Sequence, residues 1–190
     1  MIKATLRHTY KERRKQLPSD AIESFNDALL LRLQTLSWSD KTYIHTFLPI
    51  ASQHEPDMWR FIEYVQHHFP ANNIVVSRAN IANYSMENFL YTEKTLMEES
   101  AWGITEPISG EPVEESALDA VIIPLLVADM KGNRVGYGKG FYDRFLAKCR
   151  PDCVKIGLSY FEPILEIADV GPFDVPLDML LTPDNTYSFF

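Results

Sequence analysis

Cysteine, surplus positive charge and long apolar runs are all scarce in this chain. Its 190 residues include 2 cysteines, Cys149 and Cys153, too few for a disulfide framework and not spaced as Cys-x-x-Cys. Acidic residues outnumber basic ones 26 to 18, for a net charge of -8 and a pI of about 5.1. That balance lacks the basic footprint of a nucleic-acid or membrane-surface binder, although it leaves room for a local basic pocket around a small anion. No apolar run is long enough to span a bilayer, and the polar N-terminus is unlike a secretion leader. His8, His45, His54, His67 and His68 show no metal-ligand spacing, and no Ser-His-Asp or Cys-His arrangement is visible. There is no internal repeat. These absences point to a cytoplasmic protein without nucleic-acid or membrane partners.

With hydrophobic residues at 46%, a sizeable core is expected, organised as one domain over residues 1–190. Residues 2–16 read as a helix with an apolar stripe (Ile2, Leu6, Tyr10) beside a basic one (Lys3, Arg7, Lys11, Arg14). Asp20 and Glu23 resemble a capping box for a second helix carrying Phe25, Leu29 and Leu33. Strands are expected over 41–50, 72–79, 87–92, 118–129 and 153–160, with a short one closing 172–182. A helix is expected over 57–69 and another from the glycine stretch through Cys149, while 103–118 reads as loop. This alternation predicts an α/β fold, a three-layer α/β/α sandwich on a mostly parallel sheet. Ligands in such sheets bind beyond the carboxyl ends of the strands.

One stretch in such a place is "NRVGYGKGFYDRFL" (133–146). Gly136, Gly138 and Gly140 alternate with Tyr137 and Lys139, and bare backbone can turn its N–H groups toward an anion. Lys139 adds a full charge. The same residues also suit a plain glycine-rich turn. A dinucleotide fingerprint fails because Phe141 stands where the third glycine belongs, and a Walker A loop fails because Gly140 follows Lys139. By spacing alone, Asp143 either favours a helix start or holds Mg2+ beside phosphates.

"GYGKGFYDRFL" resembles the signature of the 5-formyltetrahydrofolate cyclo-ligase family, G-x-G-x-G-[YF]-Y-D. "KATLR", "FLPIASQHEPDMWRFI", "WGITEP", "LDAVIIPLLVADMKGNRVGYGKGFYDRFL" and "FDVPLDMLLTP" are similar to further family segments and occur in family order across nearly the whole chain. The resemblance implies a ligase with ATP as co-substrate and Mg2+ as cofactor, acting as a monomer. It would convert 5-formyltetrahydrofolate to 5,10-methenyltetrahydrofolate. Lys3, Arg7, Arg134, Gly136, Gly138, Lys139, Gly140, Phe141 and Tyr142 would then bind the nucleotide, with Lys139, Arg134 and Tyr142 catalytic. Glu55, Trp102, Gly138, Phe141 and Tyr142 would hold the folate, and Asp143 and Asp174 the metal. The family commonly carries a glycine near Glu55, whereas this chain has Ala51-Ser52-Gln53-His54. Lys11 and Arg14 are expected at the surface, and Tyr137, at a variable position, is assigned no role. Two other readings keep the same loop: a different ATP-dependent ligase or kinase of a small acid, and a non-catalytic nucleotide or folate binder.

Overall fold

The computed structural model describes residues 1–100 and 103–190. Its helices are α1 (Lys3–Lys15), α2 (Ser19–Gln34), α3 (Trp59–His68) and α4 (Phe141–Leu146). Seven strands form the main sheet: β1 (Tyr43–His45), β2 (Asn73–Asn80), β3 (Ser85–Leu90), β6 (Ala120–Pro124), β9 (Val154–Leu158), β10 (Met179–Leu181) and β11 (Thr186–Ser188). Two small antiparallel pairs complete the set, β4 (Met97–Glu99) with β5 (Thr105–Pro107) and β7 (Val127–Ala128) with β8 (Arg134–Val135). The order across the main sheet is β11-β10-β9-β6-β1-β2-β3. Neighbours from β10 to β2 run parallel, and the edge strands β11 and β3 are antiparallel.

Alternate side chains of the parallel strands enter opposite cores, as a period of two requires. Ile44, Ile74, Val76, Ile122 and Ile156 pack with Leu29 and Leu33 of α2 and Phe61, Ile62 and Val65 of α3. Val75, Val121, Ile123 and Leu180 pack on the other face with Phe145 and Leu146 of α4. Burial on both faces explains why β6 is an unbroken apolar run rather than an alternating one. Helix α1 packs Leu6 and Tyr10 against Leu126, Val127, Val135 and Phe161, beyond the ends of β6 and β9. Chain order reverses between β1 and β6, so the loops leaving these strands diverge and open a crevice at the carboxyl rim.

The α/β class and mostly parallel sheet match the expectation; several local elements do not. Glu23 pairs with Arg60 instead of capping α2, whose N-cap is Pro18 and makes no side-chain cap bond. The helix expected to reach Cys149 stops at Leu146. Lys148 and Cys149 bond the carbonyls three residues back, a tightened turn before Pro151, which disfavours helical geometry at Arg150. The stretch 103–118 is not all loop. It carries β5, whose Glu106 carboxylate accepts the Ala79 N–H at 2.8 Å, and a 3-10 turn at Glu115–Ala117. Among the described residues, no helix is long and apolar enough to cross a membrane.

Candidate active site

A cleft of about 1230 Å3 opens at the carboxyl rim, walled by the segments that follow β1, β2 and β6 and by α1. Of the residues expected in a site, Lys3, Arg7, Glu55, Arg134, Gly136, Gly138, Lys139, Phe141, Tyr142, Asp143 and Asp174 all line it. Gly140 does not; it takes φ 71° as the residue before α4, a conformation that glycine adopts without steric cost. Trp102 lies outside the described residues.

Helix α1 sets one wall. Arg7 Nε donates to the Gly136 carbonyl at 3.0 Å. Gly138, at φ 87°, lies so close to the same guanidinium that an added Cβ would stand 2.7 Å from Arg7 Cζ. The glycine therefore serves two needs, a left-handed backbone and room for Arg7. Lys139 is exposed, has no carboxylate within ion-pair reach among the described residues, and places its ammonium 5.8 Å from the centre of the Tyr84 ring.

Both expected metal ligands already carry cations. Asp174 Oδ2 accepts from Lys3 Nζ and from the Gly171 N–H. Burial opposes the charge on Asp174, but these donors outweigh it and hold its carboxyl below the ordinary range. Asp143 Oδ1 accepts from Arg134 Nη2 at 2.6 Å and from the Val175 N–H at 3.3 Å. Burial pulls the Arg134 guanidinium down and Asp143 draws it back up. Asp143 Oδ2 and Asp174 Oδ1 accept no hydrogen bond among the described residues. Two hard oxygens in one cleft suit Mg2+, which takes one or two carboxylates and completes its shell from phosphate and water. No cluster of three or more His, Cys, Asp or Glu side chains occurs among the described residues, so phosphate oxygens would be needed.

The cleft also holds a buried carboxylate. Glu55 is buried, with its Oε2 accepting the Ile50 N–H at 2.8 Å and its Oε1 accepting the Tyr137 hydroxyl at 2.7 Å. Burial pushes its carboxyl up against the opposing pull of Ile50, Tyr137 and Arg14. Tyr142 stands nearby, its phenol pushed well up by burial, so it stays a neutral donor.

Arg14, expected at the surface, is 3% exposed and donates to the Tyr137 hydroxyl. Lys11 is only partly exposed, with its ammonium 5.4 Å from the centre of the same ring. The correction has a simple cause: Gly138 lets the loop close onto α1, so the helix face that reads as solvated is covered. His45 also lines the cleft, fully buried, without any motif to announce it. Ser77 Oγ gives its proton to Asn88 Oδ1, so it accepts from His45 Nε2 at 2.8 Å. His45 Nδ1 is then a buried acceptor with no partner among the described residues. Burial holds the imidazole neutral, with its pKa lowered to about 3.

Comparison with known proteins identifies the family of the chain. The 5-formyltetrahydrofolate cyclo-ligase family matches residues 1–183. The 5-formyltetrahydrofolate cyclo-ligase of Mus musculus is 34% identical over 104 residues, covering 50% of this chain and 51% of that one. A probable 5-formyltetrahydrofolate cyclo-ligase of Schizosaccharomyces pombe is 32% identical over 122 residues, covering 55% and 59%. The chain thus spans about half the length of these two relatives. The match to the 5-formyltetrahydrofolate cyclo-ligase of Mycolicibacterium smegmatis, 26% identical, covers 95% of this chain and 93% of that one. The solved structure of Aquifex aeolicus 5,10-methenyltetrahydrofolate synthetase superposes with a TM-score of 0.83 at 23% identity, over 100% of this chain and 93% of that one. At that identity the likeness establishes the fold. With 183 of its 190 residues inside the family match, this chain belongs to the 5-formyltetrahydrofolate cyclo-ligase family.

Proposed function

We propose that the protein converts 5-formyltetrahydrofolate to 5,10-methenyltetrahydrofolate at the expense of ATP, releasing ADP and phosphate. The observation that carries this reading is one cleft lined both by the glycine segment with its cations and by a buried carboxylate, Glu55. A pocket for one drug-sized ligand measures about 300–1,000 Å3, so a cleft of about 1230 Å3 suits two substrates side by side.

A formamide carbonyl is a poor electrophile and its oxygen a poor leaving group. Phosphorylation cures both faults: the formyl oxygen attacks the γ-phosphorus, ADP leaves, and an iminium phosphate results. The folate N10 attacks its carbon, the proton on N10 is released, and phosphate departs. The protein's task is alignment and charge compensation. Gly136 and Gly138 shape the backbone around the triphosphate, and Gly140 turns the chain into α4. Lys3, Arg7, Arg134 and Lys139 offset its charge; Lys3 and Arg134 are paired with Asp174 and Asp143, whereas Arg7 and Lys139 have no carboxylate partner among the described residues. Asp143 and Asp174 would hold Mg2+, which when bound screens the phosphate oxygens. Tyr142 acts as a neutral hydrogen-bond donor near the reacting atoms, and Phe141 packs beside the bound ligands. Glu55 accepts from pterin N–H groups, and Trp102 offers a flat face to the pterin. Ser100 and Ile104, on either side of Trp102 in sequence, both line the cleft. The protein acts as a cytoplasmic monomer and as one domain over residues 1–190; the main sheet drawing strands from Tyr43 to Ser188 supports the single domain.

The test mixes the protein with 5-formyltetrahydrofolate, ATP and Mg2+ and follows the ultraviolet band of the methenyl product. A band that needs all three supports the reading. Folate binding without product would make the protein a binder, and turnover of ATP with a different acid would make it another ligase.

A further inference from the structure

We propose that Arg14 and Tyr137 are positioning residues that hold the Glu55 carboxylate charged and aimed into the cleft. This rests on the folate reading of Glu55 given above.

The geometry fixes the direction of each bond. Arg14 Nη2 donates to the Tyr137 hydroxyl, and a guanidinium has no acceptor to offer in return. The phenol proton therefore goes to Glu55 Oε1, at 2.7 Å. The Ile50 N–H holds Oε2 at 2.8 Å. One protein donor on each oxygen sets the plane of the carboxylate and leaves lone pairs on both oxygens for a ligand's N–H groups. A direct guanidinium pair would occupy two of those positions with a rigid fork. The phenol spacer keeps the positive charge close without taking them.

Arg14 is suited to this task. It is 3% exposed, has no carboxylate in ion-pair reach among the described residues, and its Nε has no partner there. Its remaining bond is a long one, 3.4 Å to the Leu125 carbonyl. A buried cation without a direct counter-ion is costly, and the phenol-bridged Glu55 is the anion that offsets it.

Tyr142 of α4 and Tyr160 beyond β9, whose phenols burial pushes up, supply no such charge; Tyr160 donates to Asn26 Oδ1 at 2.8 Å, and the His54 ring faces the Arg14 carbonyl at 3.3 Å. Asp57, two residues along, has its own cation, Arg60, at 3.3 Å. Arg7 and Arg14 lie seven residues apart, two turns of α1 on one face. The helix thus holds the Gly136 carbonyl with one guanidinium and the Tyr137 phenol with the other.

The test is Tyr137→Phe, which keeps the ring under Lys11 and removes the bridging proton. Arg14→Lys is the companion variant, retaining charge without the planar fork. Glu55 is titrated by carboxyl carbon NMR in the ligand-free protein, and the dissociation constant of 5-formyltetrahydrofolate is measured from pH 5 to 8. A hydrogen bond to the charged form lowers a carboxyl pKa, so its loss raises the Glu55 titration by about one pH unit or more. The acid limb of folate binding rises with it, and the ATP constant stays put. Arg14→Lys gives a smaller shift in the same direction. An unmoved Glu55 titration in Tyr137→Phe overturns the inference. If Glu55 shifts while the pH dependence of folate binding does not, the phenol bridge stands and the folate assignment of Glu55 falls.

Discussion

Replacing the glycines of the 136–140 segment one at a time by alanine separates the work of each. Gly138 sits at φ 87°, where an added Cβ would come within 2.7 Å of Arg7 Cζ and 2.9 Å of Arg7 Nε. The left-handed backbone alone costs an alanine about 1–2 kcal/mol. Arg7 must also retract, weakening its 3.0 Å bond to Gly136. A hydrogen bond from a charged group is worth about 1.5–3 kcal/mol, and part of that is lost. Gly138→Ala therefore loses about 2–3 kcal/mol, a fall in Tm of roughly 4–12 °C for a chain of this length. If Arg7 contacts phosphate, losing that contact raises the ATP constant by about 10- to 100-fold. Gly140 is also left-handed at φ 71°, but its added Cβ would meet the flexible end of Arg144 at 2.9 Å. Gly140→Ala should cost about 1–2 kcal/mol and leave ATP binding nearly intact, since Gly140 does not line the cleft. An alanine Cβ at Gly136 would meet nothing within 4 Å. Gly136→Ala should be neutral or stabilising by about 0.4–1 kcal/mol and still impair ATP binding, because the methyl fills space at the cleft wall. Thermal unfolding and nucleotide titration on the three variants decide the matter. If Gly136→Ala proves as destabilising as Gly138→Ala, the described backbone is wrong. A normal ATP constant in Gly138→Ala would show that Arg7 and the glycine segment do not cradle phosphate.

Lys139→Ala should lower kcat by about 100-fold, the usual cost of removing one charge-stabilising donor, with folate affinity within about twofold; unchanged turnover would exclude Lys139 from the reaction. Asp143→Asn should raise the Mg2+ concentration for half-maximal rate by about tenfold, since an amide is a weaker ligand for a hard cation. An unchanged Mg2+ titration would leave Asp143 as the ion-pair partner of Arg134 and nothing more. His45 has a folded pKa near 3 against an ordinary 6.5, so the unfolded chain binds the extra proton between these values. Its contribution is full above pH 6.5 and is lost as pH falls toward 3, at about 1.4 kcal/mol per pH unit. Urea unfolding of His45→Gln between pH 4.5 and 7 should show a shallower acid slope than the parent protein; equal slopes would mean that His45 is hydrated or already charged.

What the sequence determined by itself was the class and the chemistry carried by adjacent residues. The unbroken apolar run of β6 needs burial on both faces, and that need is local and legible. The glycine segment needs bare backbone next to Lys139 and Asp143, and those are contiguous in the chain. Element ends were less legible because they depend on competing partners. Glu23 could cap α2 or reach Arg60, and only packing of α2 on α3 selects the second. The tertiary structure alone decided what lies across the cleft. Arg14 and Tyr137 are 123 positions apart, Tyr137 and Glu55 are 82 apart, and no periodicity in either segment encodes their meeting. A basic stripe on a helix looks solvated until something covers it, and here the covering loop is free to approach because Gly138 has no side chain. His45 was equally silent: a lone histidine in a strand carries no spacing signal, and its place on the cleft wall follows from where β1 ends in the sheet. Local sequence fixes what a residue can do, whereas burial and partners fix what it does, and those come from contacts that form only when distant segments pack.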